Sequence, residues 1–557
     1  MKRRIIWVLG ALGIAAVVTA AVAASPNSGP SLTNVSTANT KAVGYAPWNK
    51  TSPEIVDVVR AQGSTPLENP QGITSFYGYQ NDVPSTSSPT VPQMVPTAGV
   101  ATEAQKTEPD KNTYLVFKNS LPGGDAQYDY GTDFLFQGHE IAAKVGGVSQ
   151  GYLTRINLNA DAAHRVTLLA TKDSSGKPLP VIDGSTWDPF AQKLLFSWEG
   201  NGVAGGGVWQ SDLAVPAKVD DLTASLGRGG YEGIQNDSAG NVWIVEDIGG
   251  SGKLDGTTST AARRPNSFVY RFVPDKPGDL TKGKLQALQV LRADGTPITF
   301  ESQLPLNSPD QLALHTYGKT FSTKWVTVHD TATAPAGAFD ANAAAKSAHA
   351  TPFKRPENGV FRPGTKFREF YFDETGDTNA TSPENPAAGG WGSIMKVTQS
   401  SPSADTGTLT LLHNSKQSTA GLDNVQFLTG DSLIGVQDMG DTLHAQSNAL
   451  DSGYVFDVTA DYSQPNATPL RWLAEGRDPS ATIDSAAGGF GKNDGDNEIT
   501  GVHVSNGDPS VNGILGSKIP NVFHNGWRWF WSQQHGDNIA WEVLPASSSD
   551  QAGEGNR

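Results

Sequence analysis

A short phrase recurs along this chain: an apolar, aromatic-rich strand that closes on a carboxylate or an amide beside glycine. It reads Leu194-Leu195-Phe196-Ser197-Trp198-Glu199-Gly200 and then Val242-Trp243-Ile244-Val245-Glu246-Asp247. It returns as Phe370-Tyr371-Phe372-Asp373-Glu374-Thr375-Gly376-Asp377 and as Leu433-Ile434-Gly435-Val436-Gln437-Asp438. Two outlying copies are Phe134-Leu135-Phe136-Gln137-Gly138-His139-Glu140 and Trp529-Phe530-Trp531-Ser532-Gln533-Gln534-His535-Gly536-Asp537. Repeats of this kind with loops between them predict an all-β propeller, six blades being the expected number, whose blades carry insertions. Strands that all end in oxygen donors bring those donors to one face of a closed ring, and hard cations take such a ligand set.

Composition supports an exported all-β protein. Charged residues make up 17% of the 557, while 61 Gly and 35 Pro supply turns, a balance that suits many short strands better than helices. A net charge of −15 argues against nucleic-acid backbones and anionic membrane surfaces as partners. There is no cysteine, which excludes disulfides, thiolate catalysis, Fe–S clusters and Cys-ligated zinc.

The chain opens on Lys2-Arg3-Arg4, an apolar run from Ile5 to about Val18, and the small residues Ala21-Val22-Ala23. This is the pattern of a cleaved export signal over 1–24, with a membrane anchor as the competing reading. Residues 25–110 are rich in Ser, Thr, Pro, Ala and Asn and read as a linker, with parts lying across the propeller. The propeller itself is expected over 111–545 and a polar tail over 546–557. Ala332 to Thr351 is Ala-rich and reads as a loop insertion with helical character.

Four constellations carry candidate chemistry. Gly229-Gly230-Tyr231-Glu232-Gly233 places one carboxylate at a strand start among glycines that allow close backbone approach. In Lys354-Arg355-Pro356-Glu357-Asn358-Gly359, Pro356 biases Arg355 toward extended backbone. The guanidinium there suits a phosphate or carboxylate, and Glu357 suits a metal beside that anion. Leu422-Asp423-Asn424 precedes another strand, where a structural turn competes with a ligand role. Asn493-Asp494-Gly495-Asp496-Asn497-Glu498 alternates acids along one face of an extended chain, without EF-hand spacing. The ten histidines lie outside any metalloprotease motif, and Gly138-His139-Glu140 is the most suggestive of them.

Taken in order, these pieces resemble the secreted alkaline phosphatases of the PhoX family. Gly227-Arg228, Tyr231-Glu232-Gly233 and Val242-Trp243-Ile244-Val245-Glu246-Asp247 are similar to one family segment. Phe268-Val269-Tyr270-Arg271-Phe272-Val273-Pro274 with Pro277-Gly278-Asp279-Leu280 resembles another. Arg355-Pro356-Glu357-Asn358-Gly359 is similar to the family's Arg-Pro-Glu-Asp-Gly, and Asp423-Asn424 and Glu498-Ile499-Thr500-Gly501 follow in family order. The resemblance spans roughly Asp188 to Gln534. It implies a six-bladed propeller with calcium and iron near its axis, hydrolysing phosphate monoesters. Carried over by position, Glu199, Glu232 and Glu357 are expected metal ligands, with Glu498, Asp423 and Asn424 as further ones, and Arg355 is expected to grip phosphate.

The family's cysteine ligand falls near the segment matching Asp183 to Glu199 and has no counterpart here. Calcium is therefore the expected cofactor, and the iron half of the cluster cannot assemble in the family's manner. A monomer acting on a small-molecule phosphate ester is the leading expectation. The alternative is a non-catalytic, calcium-stabilised binding propeller, and a lactonase-type calcium propeller is a third. Trp527, Trp529 and Trp531 suit sugar stacking or blade packing, packing being favoured.

Overall fold

The computed structural model describes residues 29–40, 49–71, 74–84, 104–140, 143–145, 148–200, 205–250, 264–301, 308–377, 386–476, 498–514, 516–534 and 538–546. The expected export signal, the acidic run Asn493–Asn497 and the tail beyond residue 546 lie outside them. Six antiparallel units of four strands follow one another along the chain. Blade 1 comprises Pro109–Val116, Asp133–His139, Leu153–Asn157 and Val166–Ala170; blade 2 comprises Ser185–Asp188, Lys193–Trp198, Gly207–Ser211 and Val219–Asp221. Blade 3 is Tyr231–Asn236, Val242–Glu246, Val269–Pro274 and Gly283–Leu291, and blade 4 is Gly359–Phe361, Glu369–Glu374, Ser393–Gln399 and Thr406–Asn414. Blade 5 is Leu422–Phe427, Ser432–Gln437, Ser452–Asp457 and Leu470–Ala474. Blade 6 is Glu498–Ser505, Arg528–Gln534 and Ile539–Pro545, completed by Ile55–Ala61 from the start of the chain.

The first strand of each blade touches the first strand of the next, and blade 6 returns to blade 1, so the ring is closed around an axis. Every copy of the recurring phrase is the second strand of one blade. Its aromatic and aliphatic residues pack between blades: Leu195, Ile244, Phe372, Ile434, Phe136 and Trp531 are all fully buried. Trp529 is fully buried and Trp527 nearly so, which makes that tryptophan cluster part of the packing. A long strand, Thr320–Asp330, pairs with blade 3 on one side and blade 4 on the other, fusing the two into one nine-stranded sheet. The Ala-rich insertion holds the helix Ala341–Ser347, whose Ala341 and Ala345 are buried against blade 3.

The expected linker over 25–110 is corrected by these strands. Ile55–Ala61 pairs with Ile539–Pro545 over most of its length and closes the ring, while Lys50–Thr51 adds a fifth strand to blade 5. Pro66–Gln71 adds an edge to blade 1. The composition is that of a segment unable to fold alone, yet Ile55 and Ala61 each bury against strands already in place. Closing a ring with the two ends of the chain removes the unpaired edges that an open sheet exposes.

Candidate metal centre at the propeller axis

In each antiparallel pair the start of the first strand faces the end of the second, as in Tyr231 opposite Glu246 and Leu422 opposite Gln437. First-strand starts and second-strand ends therefore gather at one end of the axis in all blades. The second strands deliver Glu140, Glu199, Asp247, Asp373 and Asp438 to that end. The first strands deliver Asp110, Lys111, Glu232, Asp423, Asn424, Glu498 and Thr500.

Four blades share a local device there. Between Pro109 and Asn112, Tyr231 and Ile234, Leu422 and Val425, and Thr500 and His503, the first strand uses three steps where its partner uses two. Each is a one-residue bulge, which leaves a residue unpaired and re-aims side chains. The residues inside the bulges are Asp110-Lys111, Glu232-Gly233, Asp423-Asn424 and Gly501-Val502. Blades 2 and 4 keep regular register and present their acids from the turn just before the first strand, Asp183 and Glu357.

Two glycines let the strands come close enough. A Cβ on Gly184 would lie 1.9 Å from the Glu232 carbonyl, and one on Gly233 would lie 2.7 Å from the Asn358 Cα. The Gly233 amide donates to the Glu357 carbonyl at 2.8 Å, which sets Glu232 and Glu357 side by side. The close approach that Gly233 permits is to a neighbouring blade.

The acids form three overlapping triplets: Glu140 with Asp183 and Glu199, Glu199 with Glu232 and Asp247, and Glu232 with Glu357 and Asp423. Within each triplet the donor oxygens lie within 4.8 Å of one another, and every donor is a carboxylate oxygen. Two unit charges at that separation repel by roughly 3 kcal/mol at an effective dielectric of about 20. Burial adds to this. It pushes the Glu232 carboxyl well above the usual range, with Asp183 and Glu357 raising it further. Burial and the Asp247 charge do the same to Glu199, and burial with Asp110 and Asp438 does so to Asp423. Glu140 is pushed up to about 8 by burial and by Asp110. One Glu232 oxygen, Oε2, is buried without a hydrogen-bond partner. A cluster of this kind either takes up protons or takes up cations.

Arg355 stands beside the triplets with 36% of its side chain exposed. Its Nε and Nη2 donate to Asp247 at 2.7 and 2.6 Å, and Nη2 lies 3.3 Å from Glu357. The expected extended backbone at Arg355 is corrected: its φ is +58°, in the left-handed region. Hydrogen bonds from the Thr375 amide to the Arg355 carbonyl and from the Gly376 amide to the Lys354 carbonyl hold this turn. Together with the Asp247 fork they outweigh the preference imposed by the following proline.

The structure brings Glu199, Glu232, Glu357 and Asp423 to one end of the axis, with Arg355 against them. Asn424 sits within the centre through hydrogen bonds: it accepts from Lys111 Nζ at 2.7 Å and donates to Asp423 at 2.9 Å and Thr500 at 3.1 Å. Glu498 joins none of the triplets, although Asp438, Glu140 and Asp423 all act on its charge. His139 is spent on structure, bonded to Thr107 and Thr154 at 2.8 Å each and held neutral by burial, with its pKa lowered to about 3.

Four acids at this end of the axis escaped the sequence reading. Glu140 and Asp247 stood at the ends of recurring phrases, so the phrase itself was their signal. Asp110 and Asp183 stood at first-strand starts, where only the blade register reveals their direction.

Residues 255–506 match the model of the family described as Alkaline phosphatase PhoX. No curated protein matches the chain. Among solved structures, the chain is similar to the gluconolactonase XC5397 of Xanthomonas campestris at 13% identity, over 76% of this chain and 97% of that one, with a TM-score of 0.24. A calcium structure of a Trichoderma reesei carbohydrate-active enzyme of family AA12 matches at 11% identity, over 92% and 98%, with a TM-score of 0.28. A hypothetical selenium-binding protein of Sulfolobus tokodaii matches at 12% identity, over 75% and 92%, with a TM-score of 0.30. The stretch that supplies Arg355, Glu357 and Asp423 to the axial centre is thus similar to the alkaline phosphatases of the PhoX family.

Proposed function

We propose that the protein is an exported, cation-dependent phosphomonoesterase that works at the axial carboxylate centre. The observation that carries the reading is the convergence of Glu199, Glu232, Glu357 and Asp423 next to the part-exposed Arg355, at one end of a closed ring. All-carboxylate triplets suit hard divalent cations, calcium first among them. Glu199 and Glu232, each shared by two triplets, would hold neighbouring ions, with Glu140, Asp183, Asp247, Glu357 and Asp423 completing their shells. An iron site with a thiolate ligand does not fit, since the chain has no cysteine, and no step is derived through iron.

Bound cations would neutralise ester oxygens and lower the pKa of a bound water. The chain's own part is orientation. Asp247 fixes the Arg355 plane through two hydrogen bonds. That leaves Nη1 to meet a phosphoryl oxygen as charge builds on it. Burial of Glu232 and Glu357 keeps bulk water from the oxygens that face the ions. The export signal read at 1–24 would carry the protein out of the cytoplasm. Among the described residues no helix is long and apolar enough to cross a membrane.

The test is release of p-nitrophenol from its phosphate by purified protein with Ca²⁺, with a parallel arm containing Fe³⁺. Turnover with Ca²⁺ that falls at least about 100-fold in Arg355→Ala is expected, a loss within the range for transition-state charge stabilisers. Turnover no greater than that of Glu357→Ala ends the phosphatase reading. A non-catalytic, cation-stabilised binding propeller is favoured by one observation: Arg355 already has two nitrogens committed to Asp247. Calcium binding without turnover would decide for it.

A further inference from the structure

One buried cation of the centre, Lys111, is neither a carboxylate that could hold an ion nor exposed enough to meet a phosphoryl group. Lys111 lies in the blade 1 bulge and is 2% exposed. An ammonium offers three donors, and its one close acceptor among the described residues is the uncharged Asn424 Oδ1 at 2.7 Å. Burial lowers the Lys111 pKa, and the charges of Asp423, Asp110, Asp373 and Glu232 work against that shift. Asp423 and Glu232 belong to the third triplet, whereas neither Asp110 nor Asp373 belongs to any. Asp373 is fully buried, accepts from the Asn358 amide at 2.8 Å through Oδ1, and has no partner for Oδ2. Asp110 is tied to Thr500 and thence to Asn424.

We infer that Lys111 is a built-in cation of the centre, which takes the sector between Asp110, Asp373 and Asp423 and keeps a further divalent ion out of it. The inference rests on the reading of the axis as a cation site. A covalently fixed charge and a diffusible ion differ in one respect that matters here. The lysine arrives with the fold, so blades 1, 4 and 5 can close on their acids before any metal binds. An acid sector without such a charge closes only by taking up protons or an ion. Because Lys111 binds Asn424 and Asn424 binds Asp423, the lysine is also a positioning residue for the one triplet member that blade 5 supplies.

Equilibrium dialysis of the full chain against Ca²⁺ tests this, comparing wild type with Lys111→Met and Lys111→Arg. Lys111→Met is expected to bind about one more Ca²⁺ per chain than wild type. Its metal-free unfolding midpoint is expected to fall and to recover with added Ca²⁺, whereas Lys111→Arg keeps the wild-type count. An unchanged count in Lys111→Met overturns the inference. If Lys111→Met does not fold, anomalous diffraction from wild-type crystals soaked in Mn²⁺ decides instead. Ions confined to the triplets support the inference, and an ion shared by Asp110 and Asp373 overturns it. Failure of wild type to bind any Ca²⁺ would instead sink the cation centre itself.

Discussion

The inner strands of blades 1, 2, 3 and 6 line two regions of the propeller, and the two regions differ in chemistry. At the strand starts lie the carboxylate triplets, Lys111 and Arg355. About three residues further on, roughly 10 Å down the axis at the rise of a strand, the lining becomes Thr113, Ser185, Gln235, Asn236, His503 and Ser505 around a cavity of about 50 Å³. The one carboxylate among the described residues of that lining is Asp508, which follows the blade 6 inner strand and is paired with Lys518 at 2.6 Å. Asn236 is 1% exposed with neither polar atom of its side chain partnered. His503 is held neutral by burial and by Lys111, its pKa lowered to about 3. The acidic end coincides with the four bulges, and the neutral end with regular register. A bulge frees a pair of side chains from the inside-outside alternation of a strand. In blades 3 and 5 this lets Glu232 and Asp423 meet the acids that blades 2 and 4 present with regular register.

Removal of cations is the sharpest way to break this contrast. Chelation by EGTA is expected to lower the unfolding midpoint by roughly 10 °C, from a binding contribution of about 4 kcal/mol for each saturated site. The metal-free protein should also lose stability as pH rises from 5 to 9. The acids at the centre have raised folded values, Glu140 about 8 among them. The folded state therefore holds protons that the unfolded chain has already released. Stability present at low pH is lost as pH passes upward through the folded values. Calcium should reverse that slope, because it binds the ionised forms. Melting curves at pH 5, 7 and 9 with and without Ca²⁺ check this, and parallel pH trends in the two series would refute it.

Substitution within the acidic end gives the next largest effect. Glu232→Gln, in a residue common to two triplets, should weaken Ca²⁺ binding by the order of 100-fold, at or above the upper range for residues that support a metal shell. Glu498→Gln, outside the triplets, should cost about tenfold or less. Calorimetric titration with Ca²⁺ ranks the two, and equal losses would remove the distinction between triplet members and bystanders.

The smallest effect is expected at the neutral end. Asn236→Asp puts a carboxylate into the small cavity and should destabilise the fold by about 1–3 kcal/mol, the cost of an unsatisfied buried group. It should leave Ca²⁺ stoichiometry unchanged. A new Ca²⁺ site there would show that an acid alone, without a bulge, is enough to build a centre.

How much was legible beforehand can be judged residue by residue. The recurring phrase was visible because its signal is local: aromatic and β-branched residues followed by an oxygen donor. Each copy proved to be a second strand, and Glu199 was found that way. Glu232, Glu357 and Asp423 were found because they lie inside short motifs. Asp110 and Lys111 were hidden, since nothing local distinguishes a bulge from the first residues of an ordinary strand. The closing strand Ile55–Ala61 was hidden for a related reason. Its partners Ile539–Pro545 are nearly the whole chain away, and its surroundings have the composition of a linker.

The sequence by itself determined the all-β architecture, the repeating blade unit, the absence of any thiolate chemistry, and an acidic character concentrated at strand ends. These follow from side-chain period, turn residues and composition, which act over a few neighbouring residues. Only the tertiary structure decided which acids share a point in space, that Lys111 stands among them, and that the two chain ends close one ring. Those outcomes depend on register and ring closure, where a shift of one residue turns a side chain from the axis to the blade interior.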